Sequence, residues 1–280
     1  MQASSLLDDL NPQQQLAVET TEGPVLILAG AGSGKTKALT HRFAYLLREK
    51  QVSPLSILCV TFTNKAAGEM RSRIARLLGQ PAESFTLPWL GTFHSVCTRI
   101  LRRELNQATL GFTGSFVIYD ESDMLSATKR AMEDLHLDQK QFNPRAVHAQ
   151  ISSAKNELVT VEEYKQFAMG AFQMVVLQVY KRYNELLKKA NALDFDDILI
   201  KTLELFDTHP EVLARYQERF RYLMVDEYQD TNKAQYRFVK LLGLKHHNVF
   251  VIGDDWQSVY SWRGADFRNI LDFHKDYPQA

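Results

Sequence analysis

Apolar positions along this chain fall into two kinds of run. Short blocks rich in β-branched and other apolar residues lie at 25–29 and 57–62. Each is followed by a longer stretch, 36–48 and 65–78, with apolar residues at helical spacing. Strand then amphipathic helix, repeated, predicts a parallel sheet, because a parallel neighbour is reached only through a crossover connection. From about residue 119 to 205 the period is helical throughout, over 121–135, 161–167 and 171–190, without a clear strand. Strand-like runs return at 222–225 and 249–252, each ending in acidic residues. The pattern predicts one α/β domain made from two segments, 1–115 and 194–280, with an all-helical subdomain, 116–193, inserted between them. In open α/β sheets ligands bind at the carboxyl edge of the strands, where these acidic residues fall.

With 280 residues and 45% apolar content the chain can bury a sizeable core. No apolar run reaches the length of a membrane span, the most apolar stretches being 25–29 and 174–179, and residues 1–20 lack a basic stretch followed by an apolar one. The expectation is a soluble cytoplasmic protein with no membrane partner. Cys59 and Cys97 are in neither a CxxC pair nor a histidine cluster, so they read as buried small apolar residues in a reducing compartment. Lys plus Arg and Asp plus Glu number 33 each, which excludes a uniformly basic nucleic-acid coat. Residues 1–113 carry 12 basic against 8 acidic side chains, a local surplus that leaves nucleic-acid binding open.

The first strand runs into Ala29-Gly30-Ala31-Gly32-Ser33-Gly34-Lys35-Thr36, in the strand, glycine loop, helix order of a P-loop. Ala29 stands where the general pattern has its first glycine. Backbone N–H groups of Ala31, Gly32, Ser33 and Gly34 would turn around phosphate oxygens, aided by the positive end of the following helix. Lys35 would neutralise the β- and γ-phosphates of ATP, and Thr36 would give its hydroxyl to Mg²⁺. The run 223–227 delivers two adjacent carboxylates from an apolar strand. Asp226 would hold Mg²⁺, directly or through water, and Glu227 would orient and deprotonate the attacking water. Acidic residues often end strands, so the pair gains meaning only beside the P-loop. After the third strand, Gln257 is suited to sensing the γ-phosphate through its neutral amide, or is an ordinary turn residue.

Taken in order, Leu10-Asn11-Pro12-Gln13-Gln14, the P-loop, 61–67 (TFTNKAA), 91–95 (GTFHS), 193–197 (LDFDD), 225–231 (VDEYQDT) and 257–265 (QSVYSWRGA) resemble the successive motifs of superfamily 1 DNA helicases of the UvrD, Rep and PcrA branch. The resemblance covers nearly the whole chain. It implies a P-loop NTPase, RecA-like motor domain with a helical insertion, the first half of an ATP-dependent DNA helicase and translocase expected to move 3′-to-5′ on single-stranded DNA. The alternatives are an ATP- and single-strand-binding module with negligible turnover, and the motor part of a helicase-nuclease.

By that resemblance, Gln14 reads the adenine edge. Lys37 stands where relatives often have an arginine packing on the base, and an ammonium stacks less well than a guanidinium. Arg263 would reach the γ-phosphate. Phe62, Tyr260 and Trp262 would stack on single-stranded bases, and Asn64, Thr92 and His94 would contact the strand. Stacking suits a motor that walks over any sequence, because every base has a π-face. An aromatic beside a strand end such as Phe62 is also a frequent core residue, and His94 could cap or pack within a helix over 92–105. Trp256 departs from the family, where an acidic residue is common. Lys155-Asn156 in the insertion also resembles the family and reads either as a DNA contact or as solvated surface. The partners implied are single-stranded DNA, single-strand/duplex junctions and a second motor domain, which no later segment of these residues offers.

Overall fold

A computed structural model describes residues 6–30, 32–82, 85–108, 110–254 and 268–280. Seven strands occur among them: β1 (Val25–Leu28), β2 (Ile57–Thr61), β3 (Leu90–Thr92), β4 (Val117–Ile118), β5 (Ala192–Leu193), β6 (Tyr222–Val225) and β7 (Val249–Gly253). Five form one parallel sheet in the order β1-β7-β6-β2-β3, and β4 pairs with β5 in parallel. Every residue of β2, β6 and β7 is buried. Strands covered on both faces need continuous rather than alternating apolar runs, which is why these segments read as unbroken blocks. β1, at one end of the sheet, is only partly covered, and Leu28 is exposed.

The chain divides into two compact units, Met1–Val96 with Glu211–Thr231 and Gln235–Ala280, and Cys97–Pro210 with Asn232–Ala234. The first holds the five-stranded sheet. Its core joins Leu39 and Phe43, from helix Lys35–Arg48, and Met70 and Ile74, from helix Asn64–Leu77, to Cys59, Met224, Phe250 and Ile252 of the strands. In the second, helices Glu121–Asp134, Pro144–Asn156, Val161–Phe167 and Ala171–Lys189 bury Met132, Val147, Ile151, Val176, Val179 and Tyr183 among themselves. Three of these helices open on a side-chain cap written in the sequence: Asp120 with Asp123, Asn143, and Thr160 with Glu163. Cys59 and Cys97 are both buried and unpaired thiols. Among the described residues no helix is long and apolar enough to cross a membrane.

Helix Pro12–Glu19 carries Gln14, and it is fixed from both ends. Asn11 caps its start, the side chains of Asn11 and Gln14 exchanging bonds with each other's backbone N–H, and Pro12 presets its first turn. Its last turn is held by Arg42, whose buried guanidinium donates to the carbonyls of Ala17, Thr20 and Thr21 and lies 4.4 Å above the ring of Phe250. Burial lowers the Arg42 pKa to about 10, still far above neutrality, so the charge persists and satisfies carbonyls that a helix end leaves without partners.

Candidate nucleotide site and nucleic-acid face

All five strands of the main sheet are parallel, so their carboxyl ends share one edge. β1 leads into the glycine loop, and Lys35 is the first residue of the next helix. Gly34 sits at φ +88°, in the left-handed region that a side chain rarely adopts. It provides no side-chain cap, so the start of this helix keeps its N–H groups for an anion. The Lys35 ammonium donates to the Ala29 carbonyl at 2.8 Å and to Asp254 Oδ2 at 3.0 Å. Thr36 follows, half-buried. Beside the loop lies a cavity of ≈ 660 Å³ bounded by Gln14, Leu16, Val25, Leu28, Gly34 and Lys35 among others. That is ample for a purine, with the phosphate loop on one wall.

Gln14 lies against the loop. Its Nε2 donates to the Ser33 carbonyl at 3.1 Å while its Oε1 accepts from Asn11 N. Lys37 reaches back to the carbonyl of Asp9.

β6 ends at Asp226, whose backbone N–H donates to Val60 across the sheet. Its side chain is buried, and Oδ1 has no hydrogen-bond partner among the described residues. Burial, and then the neighbouring Glu227, pushes its pKa up to about 7. An orphaned, desolvated carboxylate oxygen is what a divalent cation would satisfy. Glu227 adopts φ +50° and ψ +48°, a left-handed conformation costing about 1–3 kcal/mol for a non-glycine residue. Its Oε2 accepts from Gln229 Nε2 at 2.9 Å, and Gln229 Oε1 in turn accepts from Asp254 N at 3.0 Å. Gln229 had no place in the sequence reading beyond its motif. An amide with a carboxylate two residues before it gives no sign of bridging two strand ends.

On the same edge, Thr61 of β2 is in register with Thr92 of β3, so the residues just beyond them lie side by side. Phe62 is half-buried and meets Phe93 edge-on at 5.7 Å, and Phe93 packs on Phe238 at 6.2 Å. Asn64 is exposed at the start of helix Asn64–Leu77, which Thr63 caps. Thr92 is buried, its hydroxyl accepting from Ser95 N at 3.2 Å at the start of helix Phe93–Glu104. His94 is half-buried in the first turn of that helix. Ala31, Gln257, Tyr260, Trp262 and Arg263 lie outside the described residues, as does Trp256.

Lys155 is neither solvated surface nor a DNA contact. It is 1% exposed, and its ammonium lies 2.7 Å from both Asp194 Oδ2 and Asp197 Oδ1. Asp194 also accepts from the Tyr183 hydroxyl at 2.9 Å and caps helix Phe195–Thr208. Burial alone would lower the lysine pKa, and the two carboxylates raise it above its usual value instead. The neighbouring Asn156 donates to Asp196 at 3.0 Å and accepts from Asn232 at 2.6 Å.

Residues 10–278 match the family model described as UvrD/REP helicase N-terminal domain. The chain belongs to that family. It is 52% identical over 278 residues to the ATP-dependent DNA helicase PcrA of Bacillus subtilis (strain 168), an alignment covering 99% of this chain and 37% of that protein. It is 50% identical over 277 residues to the PcrA proteins of Staphylococcus aureus (strain NCTC 8325) and Staphylococcus epidermidis, again over 99% of this chain and 37% of each relative. The UvrD/REP chain therefore spans little more than a third of the length of these relatives. Its P-loop and acidic strand ends fall inside the matched region.

Proposed function

We propose that this UvrD/REP chain is the ATP-binding first motor half of a DNA helicase that couples ATP hydrolysis to movement on single-stranded DNA, 3′-to-5′. The observation that carries the reading is the continuous set of bonds from Lys35 to Asp254, Gln229 and Glu227, which links the glycine loop to the acidic strand end. Residues 1–115 and 194–280 act as the motor domain and 116–193 as its helical subdomain. The strands of the five-stranded sheet all fall in the first set, and four helices with the short β4–β5 pair fall in the second.

In this reading the adenine enters the cavity beside Gln14 and Lys37. The backbone of Ala31 to Gly34 and the Lys35 ammonium hold the phosphates. Thr36 and Asp226 would hold Mg²⁺, which would neutralise charge on the β- and γ-phosphates. Glu227 takes a proton from the attacking water, and its fixed backbone places the carboxylate before substrate arrives. Gln257 and Arg263 contact the γ-phosphate. Phe62, Tyr260 and Trp262 stack on bases while Asn64, Thr92 and His94 hold the strand. The parent's second motor domain supplies the other grip, and single-strand/duplex junctions are the substrate.

The test is fluorescence anisotropy of labelled homopolymer oligonucleotides with and without a non-hydrolysable Mg·ATP analogue. The expected outcome is binding that is indifferent to base sequence, changes with nucleotide, and weakens roughly 5- to 150-fold in Phe62→Ala, as loss of a base stack implies. Binding confined to duplex DNA, or unaltered by both nucleotide and the substitution, would contradict the proposal.

A further inference from the structure

Gln229 is 3% exposed and lies between the two strand ends that bracket the phosphate site. Its Oε1 accepts from the backbone N–H of Asp254, just past β7, at 3.0 Å. Its Nε2 donates to Glu227 Oε2 at 2.9 Å, with a longer 3.5 Å approach to Asp230 Oδ2. Asp254 in turn holds Lys35 at 3.0 Å. A neutral amide suits this position, because one end accepts from a backbone N–H while the other donates to a carboxylate. Glutamate here would set two carboxylates against each other, and methionine would leave the buried Asp254 N–H without its acceptor. The backbone is shaped around the amide as well. A Cβ at Gly253 would come within 2.8 Å of Gln229 Oε1 and 2.2 Å of Ile270 Cδ1.

Lys35 is held here by two acceptors, Ala29 O and Asp254 Oδ2. These take two of the three ammonium hydrogens, so a phosphate group that accepts more than one hydrogen bond from Lys35 would draw on the Lys35–Asp254 bond. A shift of Asp254 would reach Gln229 through the N–H that the amide accepts from, and Glu227 through the other end of the same amide. Its left-handed backbone gives it few other ways to relax. We propose that Gln229 is a positioning residue that couples occupancy of the phosphate site at Lys35 to the placement of the Glu227 carboxylate. The proposal rests on the nucleotide-site reading above.

The test uses the 280-residue chain labelled with ¹⁵N-glutamine. The Gln229 side-chain amide is assigned by its loss in Gln229→Met, or in Gln229→Glu where the first variant does not fold. Saturating Mg²⁺ and a non-hydrolysable ATP analogue, with binding checked by calorimetry, should move this amide in the wild type. In Asp254→Ala at saturation the movement should fall to less than a third, while the Gln14 amide at the loop still responds. Single-turnover phosphate release adds a second readout. Gln229→Met should lower the Glu227-dependent rate at least tenfold, with nucleotide affinity changed less than threefold. A Gln229 amide that stays put while Gln14 moves, or that moves equally in Asp254→Ala, overturns the coupling alone. A chain that gives no binding heat with nucleotide overturns the site reading, and the coupling with it.

Discussion

The Lys155 ammonium donates to Asp194 at 2.7 Å inside the helical unit, where both side chains are almost completely shielded from water. Asp197 lies equally close to the same ammonium, so one lysine balances two carboxylates. Removing one member of a buried charged set is far costlier than never having buried it, because the partners stay desolvated. Lys155→Met should therefore lower unfolding stability by about 3–5 kcal/mol in chemical denaturation. A loss under 1 kcal/mol would mean that the cluster is wetter than its geometry implies.

The same cluster gives a pH dependence whose sign is fixed. Burial, and then Asp194, pushes Asp197 up to about 6, against about 3.9 for an unfolded aspartate. Between those values the folded protein binds more protons than the unfolded one, so this residue's contribution to stability falls as pH rises from about 4 to 6 and is level above about 7. Asp196 is raised as well, mainly by burial, whereas Asp194 is lowered with Lys155 beside it and acts in the opposite sense at more acidic pH. His148, lowered by burial, is common to wild type and variant and cancels in their difference. Relative to Asp197→Asn, the wild type should lose on the order of 2–3 kcal/mol between pH 4 and 7. A difference that stays flat over that range would contradict the assignment.

Two loop glycines should respond differently to alanine. At Gly34 the backbone is left-handed, and an added Cβ would come within 2.5 Å of Gln14 Nε2, displacing that amide from Ser33. Gly34→Ala should cost about 1–3 kcal/mol and weaken nucleotide binding. At Gly30 φ is ordinary and none of the described residues would lie within 4 Å of an added Cβ, so Gly30→Ala should change stability by less than about 0.5 kcal/mol. Thermal melts of the two variants side by side check the contrast, and equal losses would contradict it.

How far the sequence could be read followed the length and continuity of each signal. β2, β6 and β7 announced themselves as apolar blocks because both faces of the sheet are covered there, and β1 reads as an apolar block although it is only partly covered. β3 is only Leu90-Gly91-Thr92, too short for a period, and had been absorbed into a motif and the start of a helix. Helix Pro144–Asn156 was not singled out within the helical stretch, although Asn143 and Pro144 are a start signal. The phosphate loop and Asp226-Glu227 were legible because their chemistry is local and ordered along the chain. Lys155 was not. Its burial depends on Asp194 and Asp197, some 40 residues away, and nothing in a lysine's immediate neighbours reveals that two carboxylates will fold over it. Gln229 failed for the same reason, its second partner being the backbone of Asp254.

The central claim is that Lys35 and the loop around it bind the phosphates of ATP. Isothermal titration calorimetry of this chain with Mg·ATP, beside Lys35→Ala, tests it most directly. A charged hydrogen bond contributes about 1.5–3 kcal/mol, so the account predicts saturable binding by the wild type and a loss of roughly 10- to 150-fold in the variant, with the fold intact by its thermal transition. Equal affinity in the two proteins, or no binding by a folded wild type, would contradict it.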